Sequence, residues 1–168
     1  MTKLKRQAIV GLGSNCGDRA GYLLAAISEM MALGLKIERL SAIYETEPVD
    51  YIDQPSFLNM AALIGGRMPS PEKLLLMLLE LESRLGRSRS VPKGPRTIDL
   101  DLLVYGDVVI SDRQAELEIP HPRMHLRRFV MVPVVDVCPH GIHPVLGRSF
   151  EQILFTLPLS PRVVKYRL

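Results

Sequence analysis

The stretch of sequence that decides the fold runs from residue 94 to residue 103 and reads Gly94-Pro95-Arg96-Thr97-Ile98-Asp99-Leu100-Asp101-Leu102-Leu103. Side chains alternate along a strand, so Asp99 and Asp101 share one face and the apolar residues share the other. Two nearby carboxylates repel each other, and a magnesium ion, which prefers carboxylate, water and phosphate oxygens, relieves that repulsion. The alternative is two solvated acids on a half-exposed strand. Arg96, just upstream, favours a site for a polyphosphate.

Outward from this strand, apolar runs alternate with turn residues. Residues 7–13, 36–44 and 57–64 are predicted strands, and residues 22–33 and 70–85 are predicted helices. Ser70 and Pro71 suit the start of the second helix, and a glycine follows each helix where a stop is expected. The order strand, helix, strand, strand, helix, strand predicts a ferredoxin-like βαββαβ sandwich of the α+β class, with an antiparallel sheet and helices on one face.

The remaining segments are predicted as C-terminal additions to this sandwich. Residues 129–137 form an apolar run that fits a short helix or a strand, and residues 150–157 fit a short helix. Since no linker or repeat divides the chain, residues 1–168 are predicted to form a single domain.

Composition limits the possible functions. The 168 residues include 21 basic and 18 acidic ones, giving a net charge of +3, so a broad polyanion-binding surface is not implied. Cys16 and Cys138 have no Cys-x-x-Cys spacing, which is typical of a reducing compartment. No segment approaches the ~20 apolar residues of a membrane span. We therefore expect a soluble, cytoplasmic protein that binds neither membrane nor nucleic acid.

Six short motifs, in this order, carry a resemblance to a known family. They are Gly11-Leu12-Gly13-Ser14-Asn15, Tyr44-Glu45-Thr46-Glu47-Pro48, Phe57-Leu58-Asn59, Gly86-Arg87-Ser88-Arg89, residues 94–103, and Pro120-His121-Pro122 with Arg127-Arg128-Phe129-Val130. The chain resembles the 6-hydroxymethyl-7,8-dihydropterin pyrophosphokinases over nearly its whole length. The resemblance implies transfer of the β,γ-pyrophosphoryl group of ATP to the pterin hydroxymethyl oxygen, with AMP as the other product. We expect a monomer, although the sequence itself does not determine the oligomeric state.

The resemblance also implies roles for the residues around ATP. Asp99 and Asp101 are expected to hold two magnesium ions that bridge the ATP phosphates. Arg87 and Arg96 match catalytic arginines that grip the phosphates, for which a planar bidentate donor is well suited. Structural salt bridges are the alternative role for both. Further contacts to ATP are expected from His121, Arg127 and Glu82, although a helix glutamate such as Glu82 often only faces water.

The remaining matches concern the pterin. Asn59 matches an amide that reads the donor and acceptor edge of the ring. Phe57 and Phe129 match aromatic residues that stack on its two faces, with core packing as the alternative. Thr46 and Val49 match backbone contacts to the same ring.

Three positions depart from the family pattern. Lys93 stands where an aromatic residue is common, in a basic segment between Arg87 and Arg96 that we expect to act as a lid. Asp50 replaces a frequent glycine, and Leu79 replaces a glutamine found in some members. None of the three removes a proposed metal ligand or phosphate arginine, so an active enzyme is expected.

Two other classes of protein fit parts of the sequence. An RNA-binding module can share the strand order, but the aromatic pairs that it needs on its sheet are missing. A zinc hydrolase is conceivable from His121 with His125, or His140 with His143, although neither pair has a third ligand at a convincing spacing.

Overall fold

The computed structural model describes residues 4, 7–48, 54–87, 94–112 and 117–167. The strands in these residues are β1 (Ala8–Ser14), β2 (Lys36–Leu40), β3 (Tyr44–Thr46), β4 (Phe57–Gly65), β5 (Asp99–Tyr105), β6 (Ile110–Asp112), β7 (Leu117–Ile119) and β8 (Val163–Lys165). The helices are α1 (Arg19–Ala32), α2 (Pro71–Arg84), α3 (Arg128–Val137) and α4 (Phe150–Phe155), with a 3₁₀ turn at Met124–Leu126.

Short-range capping sets the ends of the two longest helices. The Asp18 carboxylate accepts the Gly21 N–H at the start of α1, and the Ser70 hydroxyl accepts the Lys73 N–H at the start of α2. Gly86, with φ of 79°, follows α2 in the left-handed region that a glycine adopts without strain. The predicted second helix is thereby confirmed at both ends.

The main sheet has the strand order β5-β1-β4-β3-β8, and β2 also pairs with β4. All of these pairings are antiparallel. β1 therefore lies between the other two long strands, and its register places Gly13 opposite both Asn59 of β4 and Asp99 of β5. This arrangement sets three motifs that are far apart in sequence side by side.

The two faces of the sheet are covered by different pairs of helices. α1 and α2 pack on one face, against alternate residues of the central strands such as Val10, Met60 and Leu100. α3 and α4 pack on part of the other face, against Ile9 and Leu63. The prediction that helices cover one face is correct for α1 and α2, but it missed the cover that the C-terminal helices supply on the opposite face.

The predicted strand over 36–44 is wrong as a continuous element, because it divides into β2 and β3. At the break, the Ala42 N–H donates to the Asp136 carboxylate of α3 at 2.8 Å. The Ser41 hydroxyl accepts the Ala61 N–H at 2.9 Å. At this point side chains replace the backbone hydrogen-bond partners of a regular strand, which lets the chain bend between two short strands.

The C-terminal part contains further elements. α3 resolves the choice between helix and strand for residues 129–137, and α4 confirms the last predicted helix. β6, β7 and β8 were not predicted, since each has only three residues. Within the described residues, no helix has the length and apolar character needed to cross a bilayer.

Candidate active site

A cleft of about 350 Å³ opens on the sheet face that α3 and α4 leave partly uncovered. Its floor is a row of three opposed residues: Asn59, Gly13 and Asp99. A Cβ added at Gly13 would lie 3.3 Å from Asn59 Oδ1 and 3.9 Å from Asp99 Cβ. The glycine therefore leaves open the space between an amide on one side and a carboxylate on the other.

Two arginines bind Asp99 on the carboxylate side of the cleft. Arg87 Nη1 lies 2.9 Å from Asp99 Oδ1, and Arg96 Nη1 lies 2.7 Å from Asp99 Oδ2. Arg87 follows Gly86 at the end of α2, whereas Arg96 lies three residues before Asp99. The structure thus brings three of the four predicted catalytic residues into one ion-pair cluster.

Asp101 is the second carboxylate of the site and lies two residues further along β5, on the same face as Asp99. Burial, and then the negative charges of Asp99 and Glu82, raise the pKa of Asp101 to about 7. The two nearby anions are therefore only partly compensated by the arginines. A divalent cation would relieve this repulsion, so the carboxylate pair fits a magnesium ion.

Glu82 lies below the cleft rather than in its lining, with only 2% of its surface exposed. Its carboxylate accepts the Leu100 N–H at 2.7 Å and forms an ion pair with Arg87. Burial raises the pKa of Glu82, although the Leu100 N–H and Arg87 act in the opposite direction. The carboxylate therefore ties α2 to β5 between the two aspartates and anchors Arg87.

His121 and Arg127 line the other side of the carboxylates. The Arg123 N–H donates to Nδ1 of His121 at 3.2 Å, so a neutral ring carries its proton on Nε2. Burial, followed by the positive charges of Arg127 and Arg123, lowers the pKa of His121 to about 4. At neutral pH this histidine is therefore an uncharged hydrogen-bond donor beside cationic arginines.

Four residues predicted to contact the pterin line the cleft: Thr46, Phe57, Asn59 and Phe129. Asn59 Nδ2 donates to the Thr46 hydroxyl at 2.9 Å, and both residues are buried. Phe57 and Phe129 line the cleft, and each ring has an arginine above it: Arg96 Cζ lies 5.9 Å from the Phe57 centroid and Arg127 Cζ lies 5.7 Å from that of Phe129.

Several predicted features lie outside the described residues. These are Val49, the departures Asp50 and Lys93, and residues 88–93 of the expected lid. Leu79 is described, and 36% of its surface is exposed on α2.

Sequence reasoning assigned no role to three residues that the structure places at the site. Arg123 and Gln54 line the cleft, and the buried Asn15 donates a hydrogen bond to Gln54. The position of Glu82 could have been foreseen, because Leu74, Leu78 and Glu82 follow the four-residue spacing of a buried helix face. The contacts of Asn15 join segments far apart in sequence, so no local pattern reveals them.

Comparison with known proteins identifies a family for this chain. Residues 9–139 match the family model described as 7,8-dihydro-6-hydroxymethylpterin-pyrophosphokinase. The chain belongs to this family. Membership confirms the predicted enzyme class, an ATP-dependent pyrophosphokinase of folate biosynthesis, and gives no support to an RNA-binding module.

Individual relatives differ in how much of their length is matched. A 2-amino-4-hydroxy-6-hydroxymethyldihydropteridine pyrophosphokinase from Bacillus subtilis is 43% identical over 132 residues, which cover 78% of this chain and 77% of that protein. The folic acid synthesis protein fol1 of Pneumocystis carinii is 40% identical over 149 residues, which cover 86% of this chain. The chain spans only 20% of that protein.

The fold also matches a solved structure. The crystal structure of Plasmodium falciparum HPPK-DHPS with pterin and p-hydroxybenzoate superposes with a TM-score of 0.70 at 16% identity, covering 89% of this chain and 43% of that one. This likeness confirms the ferredoxin-like α+β fold.

The zinc alternative finds no support. Among the residues that the structure describes, no three His, Cys, Asp or Glu side chains are grouped closely enough to hold a metal ion. His125 contacts the ring of His143 instead, with 5.6 Å between centroids. A carboxylate pair remains compatible with magnesium, because that ion commonly takes one or two protein carboxylates and completes its shell with water and substrate phosphates.

Proposed function

We propose that this chain transfers the β,γ-pyrophosphoryl group of ATP to the hydroxymethyl oxygen of 6-hydroxymethyl-7,8-dihydropterin, giving AMP and the pterin diphosphate. The observation that carries the proposal is the row across β4, β1 and β5, where Gly13 separates Asn59 from Asp99. One end of this row suits a flat heterocycle and the other suits phosphates and a cation. The hydroxymethyl group of the pterin and the phosphates of ATP can therefore meet above Gly13.

The pterin is assigned to the amide side. Thr46 fixes the Asn59 amide, so that Oδ1 lies toward Gly13 and accepts an N–H of the ring. Phe57 and Phe129 are proposed to stack on the ring, since flat π-systems gain contact in offset arrangements. The predicted contacts from Thr46 and Val49 complete this half of the proposal.

ATP is assigned to the side where Arg87, Arg96, Arg127 and His121 line the cleft. Arg87 and Arg96, which pair with Asp99 in the structure, are proposed to bind phosphate oxygens of ATP as well. Asp99 can then ligate a cation together with Asp101. His121 donates from Nε2, and Glu82 acts on ATP indirectly by holding Arg87.

In the transfer itself, the hydroxymethyl oxygen forms a bond to the β-phosphorus of ATP. The bond from that phosphorus to the oxygen bridging it to the α-phosphorus breaks, so AMP leaves with the oxygen and the hydroxyl proton is released. The arginines hold the phosphates in line and neutralise the charge that spreads over them, which supplies most of the catalysis in phosphoryl transfer. Magnesium bound by Asp99 and Asp101 would add charge neutralisation at the same oxygens.

Three finer points belong to the proposal. Two magnesium ions rather than one are expected from the resemblance. The monomeric state and the cytoplasmic location are also predictions of the sequence.

A product assay tests the function. Purified protein is incubated with ATP, magnesium and 6-hydroxymethyl-7,8-dihydropterin, and AMP and ADP are separated by chromatography. We expect AMP to form only when pterin is present. ADP would identify an ordinary kinase, and an absence of turnover with fully folded protein would contradict the proposal.

A further inference from the structure

The buried residue Asn15 connects two loops that lead into the cleft, residues 54–56 before β4 and residues 94–98 before β5. Its backbone N–H donates to Arg96 O at 3.1 Å, and the Arg96 N–H donates to Asn15 Oδ1 at 2.8 Å. Its Nδ2 donates to Gln54 Oε1 at 3.0 Å and to Pro55 O at 3.2 Å. Only 1% of the Asn15 surface is exposed, so these bonds form where water does not compete for them.

Each loop leads directly to one half of the proposed site. Pro55 lies two residues before Phe57, where β4 begins, and β4 also carries Asn59. Arg96 reaches Asp99 with its guanidinium and lies above the Phe57 ring. A shift of Arg96 toward a phosphate therefore acts on the same asparagine that holds the loop entering β4.

The chemistry of an asparagine side chain suits this task. Both Nδ2 hydrogens go to the pterin-side loop, while Oδ1 and the backbone go to the phosphate-side loop. Neither Ser nor Asp can donate two side-chain hydrogens and accept one at the same time. We infer that Asn15 is a positioning residue that couples the pterin half of the cleft to the phosphate half, so that each substrate favours binding of the other.

This inference rests on the proposed function and can be tested apart from it. The probe is α,β-methylene-ATP with magnesium, which cannot transfer its pyrophosphoryl group. Its dissociation constant is measured by calorimetry with and without saturating 6-hydroxymethyl-7,8-dihydropterin. The ratio of the two constants is the coupling factor, and it is reciprocal between the ligands.

For the native chain we expect a coupling factor of about tenfold or more, within the usual range for linked sites. Asn15→Ala should reduce the factor to about twofold or less, because it removes the side-chain bonds of Asn15 to both loops. A purely structural role would instead lower thermal stability or weaken both ligands while leaving the ratio unchanged.

Gln54 supplies variants that keep Asn15 in place. Gln54→Leu removes one acceptor and should reduce the coupling factor partly, whereas Gln54→Glu retains an acceptor and should preserve it. Gln7→Leu is the matched control, since it removes a side-chain amide that bonds Glu38 outside the cleft. If Asn15→Ala does not fold, the three glutamine variants decide the test.

Two results would overturn the inference: a native coupling factor of one, or a native factor retained in both Asn15→Ala and Gln54→Leu. In either case, AMP formation by the native protein would leave the proposed function standing. Failure of the native protein to bind either ligand or to form AMP would reject the function, and the inference with it.

Discussion

One face of the central sheet has two halves that are built from the same three strands but differ in what covers them. In one half, Ile9, Ala61 and Leu63 are buried under α3 and α4. In the other half, the corresponding positions further along the strands are Gly11, Gly13, Asn59, Asp99 and Asp101, and they line the open cleft. β1 pairs with β4 without a break from one half to the other, whereas the register of β1 against β5 shifts between Ile9 and Val10.

The comparison shows that the alternation of side chains decides only which face of the sheet a residue occupies. The type of residue decides whether that position is buried in the core or lines the cleft. Apolar side chains in the closed half gain stability by excluding water. Amide, carboxylate and glycine positions in the open half contribute little to such a core and leave space and polar groups for ligands. Substitutions in the closed half should therefore change stability, and substitutions in the open half should change binding or turnover.

The largest effect is expected from Asp101→Asn in the open half. The amide retains the shape of the carboxylate but loses its charge, so turnover should fall by about 10²–10⁴-fold, equivalent to roughly 3–5 kcal/mol of transition-state stabilisation. Affinity for pterin should change little. Steady-state kinetics and pterin titration measure the two quantities separately.

Asp107→Asn is the matched control, because it makes the same replacement at an exposed position just after β5. Turnover close to native in Asp101→Asn would remove Asp101 from the proposed metal site.

A smaller effect, on stability alone, is expected from Met131→Ala in the closed half. Met131 has no exposed surface and packs in the cluster that joins α3 to the sheet. Its truncation should lower the free energy of unfolding by about 3 kcal/mol through lost burial and the cavity left behind. Met31→Ala, at a side chain 59% exposed on α1, should change it by less than about 0.5 kcal/mol.

Urea denaturation measures this loss, and turnover of folded Met131→Ala at low temperature should remain close to native. A large loss of turnover with little change in stability would break the distinction between the two halves.

Local sequence patterns predicted the parts of the fold that depend on neighbouring residues. The alternation in β5 and the cap at Ser70 are examples, and both are observed. The break between β2 and β3 was not predictable, because the Asp136 carboxylate that replaces a ladder partner comes from a helix 94 residues away. The cover supplied by α3 and α4 escaped prediction for the same reason, since its contacts are all long-range.

The residues of the candidate site also divide into those that the sequence predicted and those that only the folded structure shows. The resemblance supplied the residues that converge on the cleft, including Arg87, Arg96 and Asn59. The burial of Glu82 and the bonds of Asn15 required the folded arrangement, because each residue joins segments that the sequence separates.

Protonation of His143 at low pH should destabilise the folded chain, in the part that covers the closed half. This residue lies between α3 and α4 with 2% of its surface exposed, and its Nε2 has no hydrogen-bond partner among the described residues. Burial, and then the nearby His125, lowers the pKa of His143 to about 4. The unfolded chain binds this proton more readily, so the contribution of His143 to stability is complete above pH ~6.5 and is lost as pH falls toward 4.

The free energy of unfolding as a function of pH tests this linkage. In His143→Gln, its slope between pH 6.5 and 4 should be shallower than in the native chain, while the pH profile of turnover near neutrality should not move. An unchanged slope would show that His143 titrates normally in the folded chain.

The smallest effect is expected from Gly13→Ala, which tests the open half without changing charge. The new methyl group would lie 3.3 Å from Asn59 Oδ1, a contact tight enough to displace the amide by a few tenths of an ångström. Loss of one well-aligned hydrogen bond to the ring should weaken pterin binding about tenfold.

Gly11→Ala, on the same face, instead meets the flexible end of Leu103 at 3.1 Å, so its effect on pterin affinity should be smaller. Titration of both variants with 6-hydroxymethyl-7,8-dihydropterin makes the comparison. If Gly11→Ala weakened pterin binding as much as Gly13→Ala, open space along β1 would matter more than the position of Asn59.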